Sequence, residues 1–254
     1  MKITFLGTGT SQGIPVIGST HPVCLSNDPK DKRLRVAVLL SWNGHNYVID
    51  CGPDFRQQML THKVTKLDGI LFTHEHADHT AGIDDIRPYF FRQGDIPIYA
   101  HERVLESLKV RFDYIFADDD RYPGAPAVEV NQIVNNSPFE IGGLLAVPIN
   151  AYHNRLQVFG FRIQDFTYLT DVKSVEDKEI DKIKGTKILV INALRKEAHH
   201  SHFNLEEALD FIGKVKPEKA YLTHISHLLG FHREVEKELP QNVHLAFDNL
   251  QINI

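Results

Sequence analysis

Apolar and polar residues alternate along KITFLG (2–7), the two-residue period of a strand, and the glycine loop GTGTSQGIP follows it. RVAVLLSWNGHNYVID (35–50) places two apolar runs around Asn43-Gly44, a pair suited to the positive-φ positions of a type I′ turn, and reads as a hairpin. Pro53 suits the first turn of a helix running to about His62. LDGILFTH (67–74) is an apolar run closed by polar residues, which predicts a buried strand, with a helix starting near Asp78. IPIYAH (96–101) is another strand, followed by a helix from about Glu102, and ADDDRYPGAP (117–126) reads as a loop and a mobile flap. VEVNQIV, LLAVPIN, VFGFRI and FTYLT form a second set of strands. KILVINAL (187–194) is a strand, and Asn204 caps a helix with Glu207 at the reciprocal capping-box position. KAYLTH (219–224), a short helix at 231–239 and VHLAFD (243–248) complete the pattern. No repeat or low-complexity linker interrupts it. The expectation is an α/β protein with two sheets covered by helices, residues 1–254 forming a single domain.

Composition bounds the function more than the fold. The chain has 254 residues, 42% hydrophobic and 24% charged, as an ordinary globular protein does. A net charge of −5 argues against a general nucleic-acid binder, without excluding a local basic pocket. Cys24 and Cys51 are too few for a disulfide framework and point to a reducing compartment. The start MKITFLGTGT lacks the long apolar core of a signal peptide. No stretch approaches the ~20 apolar residues that span a bilayer. These features predict a cytoplasmic protein with no membrane partner. The glycine loop is not read as a dinucleotide fingerprint, because its third glycine falls at Gly13, out of register, and no clear helix follows.

The fifteen histidines change the picture. They concentrate at 74–79, 199–202 and 224–232, with His153 alone. His74 and His76, two apart at a strand end, leave on one face and Glu75 on the other. Asp78 and His79 follow where the chain turns into a helix. The spacing offers two adjacent metal positions, and imidazole with carboxylate suits zinc, manganese or iron. The bland alternative is a solvated, His-rich turn. Crowded directly behind a buried strand, the pattern favours the metal.

THEHADH (73–79) resembles the metal motif of the metallo-β-lactamase fold, and the fold's other positions follow in order: Asp50 in YVID, His153 in INAYHN, Asp171 in YLTD and His224 in LTHISH. Within that superfamily, FLGTGTSQGIP, DPKDKRLR, SHFNLEEAL and LTHISH resemble the phosphoribosyl cyclic phosphodiesterase (PhnP-like) branch, on the same phosphoesterase side as the tRNA 3′-processing nucleases. The resemblance implies an αββα sandwich, two mixed β-sheets flanked by helices. It implies two divalent ions, zinc or manganese. His74, His76, His153 and Asp171 would hold one, and Asp78, His79, Asp171 and His224 the other, with Asp171 bridging. Asp50 would orient a ligand histidine from behind. The implied activity is a phosphodiesterase hydrolysing a small cyclic or nucleotide-like phosphodiester through a metal-bridging hydroxide. Asp78 and His202 are its candidate catalytic residues, His202 as general acid, a role an imidazole fills well near neutral pH. Arg87 is a candidate for gripping the phosphate, with a structural ion pair as the alternative. His199 and His200 stay open.

One segment departs from the branch. Its members commonly carry Cys-x-Cys-x-x-Cys after the glycine loop, which with the second histidine of LTHISH makes a structural zinc site. Here Ser19, His21 and Cys24 fall on the cysteine positions and His227 on the histidine. His21, Cys24 and His227 are competent ligands for a third, structural zinc, and a serine hydroxyl is a poor one. Rival functions are a tRNA 3′-processing-type nuclease, a thioesterase or lactamase on the same fold, and a binding protein without turnover. The nuclease lacks a basic or Gly/Pro-rich arm here. A protein without turnover should have lost ligands, and this chain keeps the full set. The expected partner is a small phosphodiester, with nucleic acid disfavoured, and exposed helices are compatible with a homodimer.

Overall fold

Strand β1 (Lys2–Gly7) pairs antiparallel with β2 (Ala37–Trp42), and β2 with β3 (His45–Ile49) through a turn whose Asn43 and Gly44 have φ of 46° and 82°. Both signs are those a type I′ turn requires. In β2, Val38 and Leu40 face one apolar cluster while Ala37 and Leu39 face another. A strand covered on both faces loses its polar alternation, which is why RVAVLL reads as a continuous apolar run. The computed structural model, which describes residues 1–117 and 121–254, shows what covers it. Part of the expected flap, residues 118–120, lies outside the described residues.

The first sheet continues from β3 through β4 (Gly69–Leu71), β5 (Ile96–His101) and β6 (Val128–Ile133), all parallel. The second sheet contains β7 (Phe139–Ile141), β8 (Leu144–His153), β9 (Leu156–Ile163), β10 (Phe166–Tyr168), β11 (Ser174–Val175), β12 (Ile188–Asn192), β13 (Lys219–Thr223) and β14 (Val243–Leu245). Its order is β11–β8–β9–β10–β12–β13–β14, with β7 beside β8, antiparallel up to β10 and parallel beyond. The final strand, β15 (Gln251–Asn253), returns to the first sheet against β1.

Phe5, Val38, Leu40 and Ile49 of the first sheet meet Phe159, Phe161, Phe166, Tyr168 and Val190 of the second in one cluster between the sheets. Beyond α1 (Pro22–Leu25), the outer face of the first sheet is covered by α2 (Phe55–His62), α4 (Arg87–Gln93) and α5 (Glu102–Arg111), with the single turn α3 (Ala77–Thr80) at its edge. α6 (Asp177–Ile183), α7 (Leu205–Val215) and α8 (His232–Glu238) cover the second. The layers are those of the αββα metallo-β-lactamase fold. Among the described residues no helix is long and apolar enough to cross a membrane.

Several elements differ from the pattern-based expectation. VEVNQIV belongs to the first sheet, parallel to β5, and not to the second set of strands. Its parallel pairing needs the crossover that α5 supplies, and strand order along a sequence does not record it. The strand expected at 67–74 pairs only over 69–71, because the Thr73 carbonyl turns to accept from Phe159 N of the other sheet at 2.9 Å. α2 starts at Phe55, not Pro53; Asp54 occupies the cap position but spends its carboxylate on Arg35 N (2.8 Å) and the Arg35 guanidinium (3.0 Å). α7 carries the expected capping box, with reciprocal Asn204–Glu207 bonds of 2.9 Å.

Candidate metal centre

The parallel halves of the two sheets deliver their carboxyl ends to one edge, where open α/β sheets usually place ligands. Three residues there adopt left-handed backbone: Asp50 after β3 (φ 66°), Asp171 beyond β10 (φ 59°) and His224 after β13 (φ 53°). Each such position costs about 1–3 kcal/mol, a strain that persists where surrounding structure demands it. All three are buried.

Asp50 anchors the motif from behind. Its Oδ1 accepts from Thr73 N at 2.9 Å and from the Thr73 hydroxyl, and its Oδ2 accepts from His79 Nδ1 at 2.7 Å. Burial pushes the Asp50 carboxyl above its ordinary pKa, and His79 opposes that. With Nδ1 committed, His79 presents Nε2 to the centre, 3.3 Å from Asp78 Oδ2 and 3.3 Å from Asp171 Oδ2, completing a hydrogen bond to neither. His74, also buried, has Nδ1 3.0 Å from the Thr73 hydroxyl and Nε2 3.0 Å from His76 Nδ1. His76 is exposed at the rim, its ring 5.3 Å from that of His153. His153 Nδ1 lies 3.0 Å from the Asp171 carbonyl. The turn is clamped backbone to backbone: Cys51 N bonds the His79 carbonyl at 2.7 Å, and a Cβ on Gly52 would sit 2.0 Å from the Asp78 carbonyl oxygen.

Asp171 faces both sides of the centre. Its Oδ1 lies 3.0 Å from His202 Nε2 and 3.2 Å from His224 Nε2, and its Oδ2 accepts from the Thr170 hydroxyl at 2.7 Å. Three overlapping groups have ligand atoms within 4.8 Å of one another: His74–His79–Asp171, Asp78–His79–His224 and His153–Asp171–His202. These residues fit divalent cations on two counts. His79 Nε2 and both ring nitrogens of His224 are buried without a hydrogen-bond partner. Burial disfavours a charged His79, yet Asp78, Asp171 and Asp50 outweigh it and hold its pKa well above the usual value, so the field draws positive charge to this point.

The structure thus brings together His74, Asp78, His79, His153, Asp171, His202 and His224, with His76 at the mouth. Arg87 is engaged elsewhere: its guanidinium donates to Asp84 Oδ1 at 2.5 Å, to the Tyr122 hydroxyl at 3.0 Å and to the Gly124 carbonyl. That is the ion-pair alternative weighed from the sequence, and it holds the 122–124 loop. Thr73 was missed; its place beside His74 in THEHADH was the available signal.

The Ser19 segment gives a looser set. The His21 and His227 rings lie edge to face at 4.9 Å, and His227 Nδ1 is buried without a partner. The Ser19 hydroxyl accepts from His21 N at 3.2 Å, His21 Nδ1 accepts from Val23 N, and Cys24 Sγ accepts from Val16 N at 3.5 Å. Among the described residues, His21, Cys24 and His227 do not form a group within 4.8 Å. Tetrahedral zinc, with bonds of ~2.0–2.3 Å, requires tighter convergence. In Cys24→Ser, metal content and melting temperature are expected to stay at wild-type values. Loss of one bound ion relative to wild type, with earlier melting, would instead establish a structural zinc there.

A beta-lactamase superfamily domain model matches residues 45–225. A crystal structure of a new diphosphatase from the PhnP family is 36% identical with a TM-score of 0.93, covering 100% of this chain and 97% of that one. Zn(2+)-bound PqqB from Methylobacterium extorquens superposes with a TM-score of 0.83 over 100% of both chains, and at 16% identity shares the fold alone. An octanoyltransferase of Porphyromonas gingivalis is 37% identical over 253 residues, 99% of this chain and 51% of its own length. The chain therefore spans about half of that relative. With the family model covering most of the chain and the diphosphatase matched end to end, the chain belongs to the beta-lactamase superfamily and, within it, to the PhnP family.

Proposed function

We propose that the chain is a metal-dependent phosphodiesterase acting on a small cyclic or nucleotide-like phosphodiester. The observation that carries this reading is Asp171, whose two oxygens face His202 and His224 on one side and His79 on the other. His74, His76, His153 and Asp171 would hold one divalent ion, and Asp78, His79, Asp171 and His224 the other. Bound there, zinc or manganese supplies Lewis acidity that neutralises the phosphate and lowers the pKa of water. The chain's own residues supply the rest. Asp50 fixes the His79 tautomer through Nδ1. His202 Nε2–H gives its proton to the leaving alkoxide as the P–O bond to that oxygen breaks and the bond from water forms. Ser201 Oγ, 3.1 Å from His202 Nδ1, steadies the ring from behind.

The diphosphatase relative supports phosphoester chemistry. Acyl transfer, named for the Porphyromonas protein, finds no available thiol nucleophile here: Cys24 and Cys51 are both buried, and burial pushes the Cys51 thiol well up. The same reading takes residues 1–254 as one hydrolase domain whose partner is the small substrate. A panel of bis-p-nitrophenyl phosphate, a thioester, a lactam and a tRNA precursor, each with added Mn²⁺ or Zn²⁺, tests it. Turnover of the phosphodiester is expected; turnover confined to the thioester or the lactam would overturn it, and 3′ cleavage of the tRNA precursor alone would select the nuclease.

A further inference from the structure

The contacts described so far hold the metal loop from its inner side. Two arginines of α5 hold its outer side. Arg103 Nε donates to Glu75 Oε1 at 2.8 Å and its Nη2 to Oε2 at 3.1 Å, and the same Nη2 donates to the Gln157 carbonyl of β9 at 2.5 Å. Arg111 Nη2 donates to the Glu75 carbonyl at 3.1 Å and to the Thr80 hydroxyl at 2.9 Å, and that hydroxyl donates to the His76 carbonyl at 2.8 Å.

Glu75 lies between His74 and His76 and points away from them. Among the described residues its carboxylate hydrogen-bonds to Arg103 and to no candidate ligand, while its backbone sets where both neighbouring rings start. A bidentate guanidinium–carboxylate fork fixes direction as well as distance, which a lysine ammonium does not. With the Arg103 side chain 33% exposed, the ion pair contributes little to global stability. Its specific consequence is geometric, because through Glu75 and Gln157 it joins the metal loop to both α5 and the second sheet. His76 is the ligand candidate most dependent on this, being exposed, with the His74 and His153 rings beside it.

We propose that Arg103, acting through Glu75, is a positioning residue for the metal centre, so that metal affinity depends on a side chain whose hydrogen bonds go to Glu75 and Gln157. This rests on the reading that the centre holds divalent ions, and not on the identity of the substrate.

The test strips the protein of metal and titrates Zn²⁺ back against a chromogenic chelator, for wild type, Arg103→Gln, Arg103→Lys and Arg162→Gln. Arg162 is the control, since it too anchors backbone, donating to the Lys182 and Lys184 carbonyls at 2.6 Å each. Both Arg103 variants are expected to bind Zn²⁺ about 10- to 100-fold more weakly, and Arg162→Gln as wild type does. Metal-free melting temperatures should not order the variants in the same way. Should Arg103→Gln not fold, Glu75→Gln, which keeps the shape and removes the charge, carries the same expectation. Arg103 variants that bind within about threefold of wild type, or an equal loss in Arg162→Gln, would overturn the proposal. A wild type that takes up no Zn²⁺ would overturn the metal centre itself, and this proposal with it.

Discussion

In Asp171→Ala, turnover should fall at least about 100- to 1000-fold, the scale of losing one preorganised electrostatic group, and metal content should fall with it. The two losses belong together because one carboxylate serves both halves of the centre. Its Oδ1 lies 3.2 Å from His224 Nε2, and its Oδ2 lies 3.3 Å from His79 Nε2. Alanine removes both oxygens and leaves the flanking imidazoles without the acid they share. Burial disfavours the charged carboxylate, but the neighbouring His224 and His79 outweigh it and hold the Asp171 pKa well below the usual range. Elemental analysis of the purified variant, beside a circular-dichroism spectrum to establish folding, checks the expectation. Full metal occupancy with normal turnover would sink the shared-carboxylate reading.

His202→Ala should behave differently, keeping its metals and losing chemistry selectively. His202 Nε2 lies 3.0 Å from Asp171 Oδ1, and its Nδ1 lies 3.2 Å from His199 Nδ1. A general acid contributes about 100- to 10,000-fold, and only where the leaving group needs a proton. Turnover of a diester with an alkyl leaving group should therefore collapse, whereas p-nitrophenolate, which departs unprotonated, should be released at close to the wild-type rate. Equal losses on both substrates would reassign His202 to holding the substrate. A loss of bound metal would make it a ligand, which its grouping with His153 and Asp171 allows.

Much of this site was legible in the sequence because it is local. THEHADH compresses four candidate ligands into seven residues, and although β4 ends at Leu71, short of them, His74 Nε2 and His76 Nδ1 still meet at 3.0 Å while Glu75 turns to Arg103. The capping box of α7 and the Asn43-Gly44 turn were legible for the same reason, each depending on residues within three or four positions. His153, Asp171, His202 and His224 were placed by resemblance to a family, since no spacing rule connects residues so far apart. Arg87 shows the limit: Asp84 is a neighbour in sequence, three positions away, and only the folded chain brings Tyr122 and Gly124 to the same guanidinium.

The sequence by itself determined the turns and caps between the strands and the chemical type of the centre, because each follows from residue identity and short-range geometry; burial of the central strands on both faces was decided by the layers packed against them. Sheet membership was decided by tertiary structure, as β6 joined the first sheet through a crossover and β15 through the short link 246–250 from the second sheet, and neither leaves a periodic mark. The left-handed backbone at Asp50, Asp171 and His224 was decided there too, since no local preference places all three, and only packing between the sheets holds them against the strain. So was the Arg103–Glu75 fork: its two residues lie far apart in sequence, and the bond exists only because α5 packs beside the metal loop.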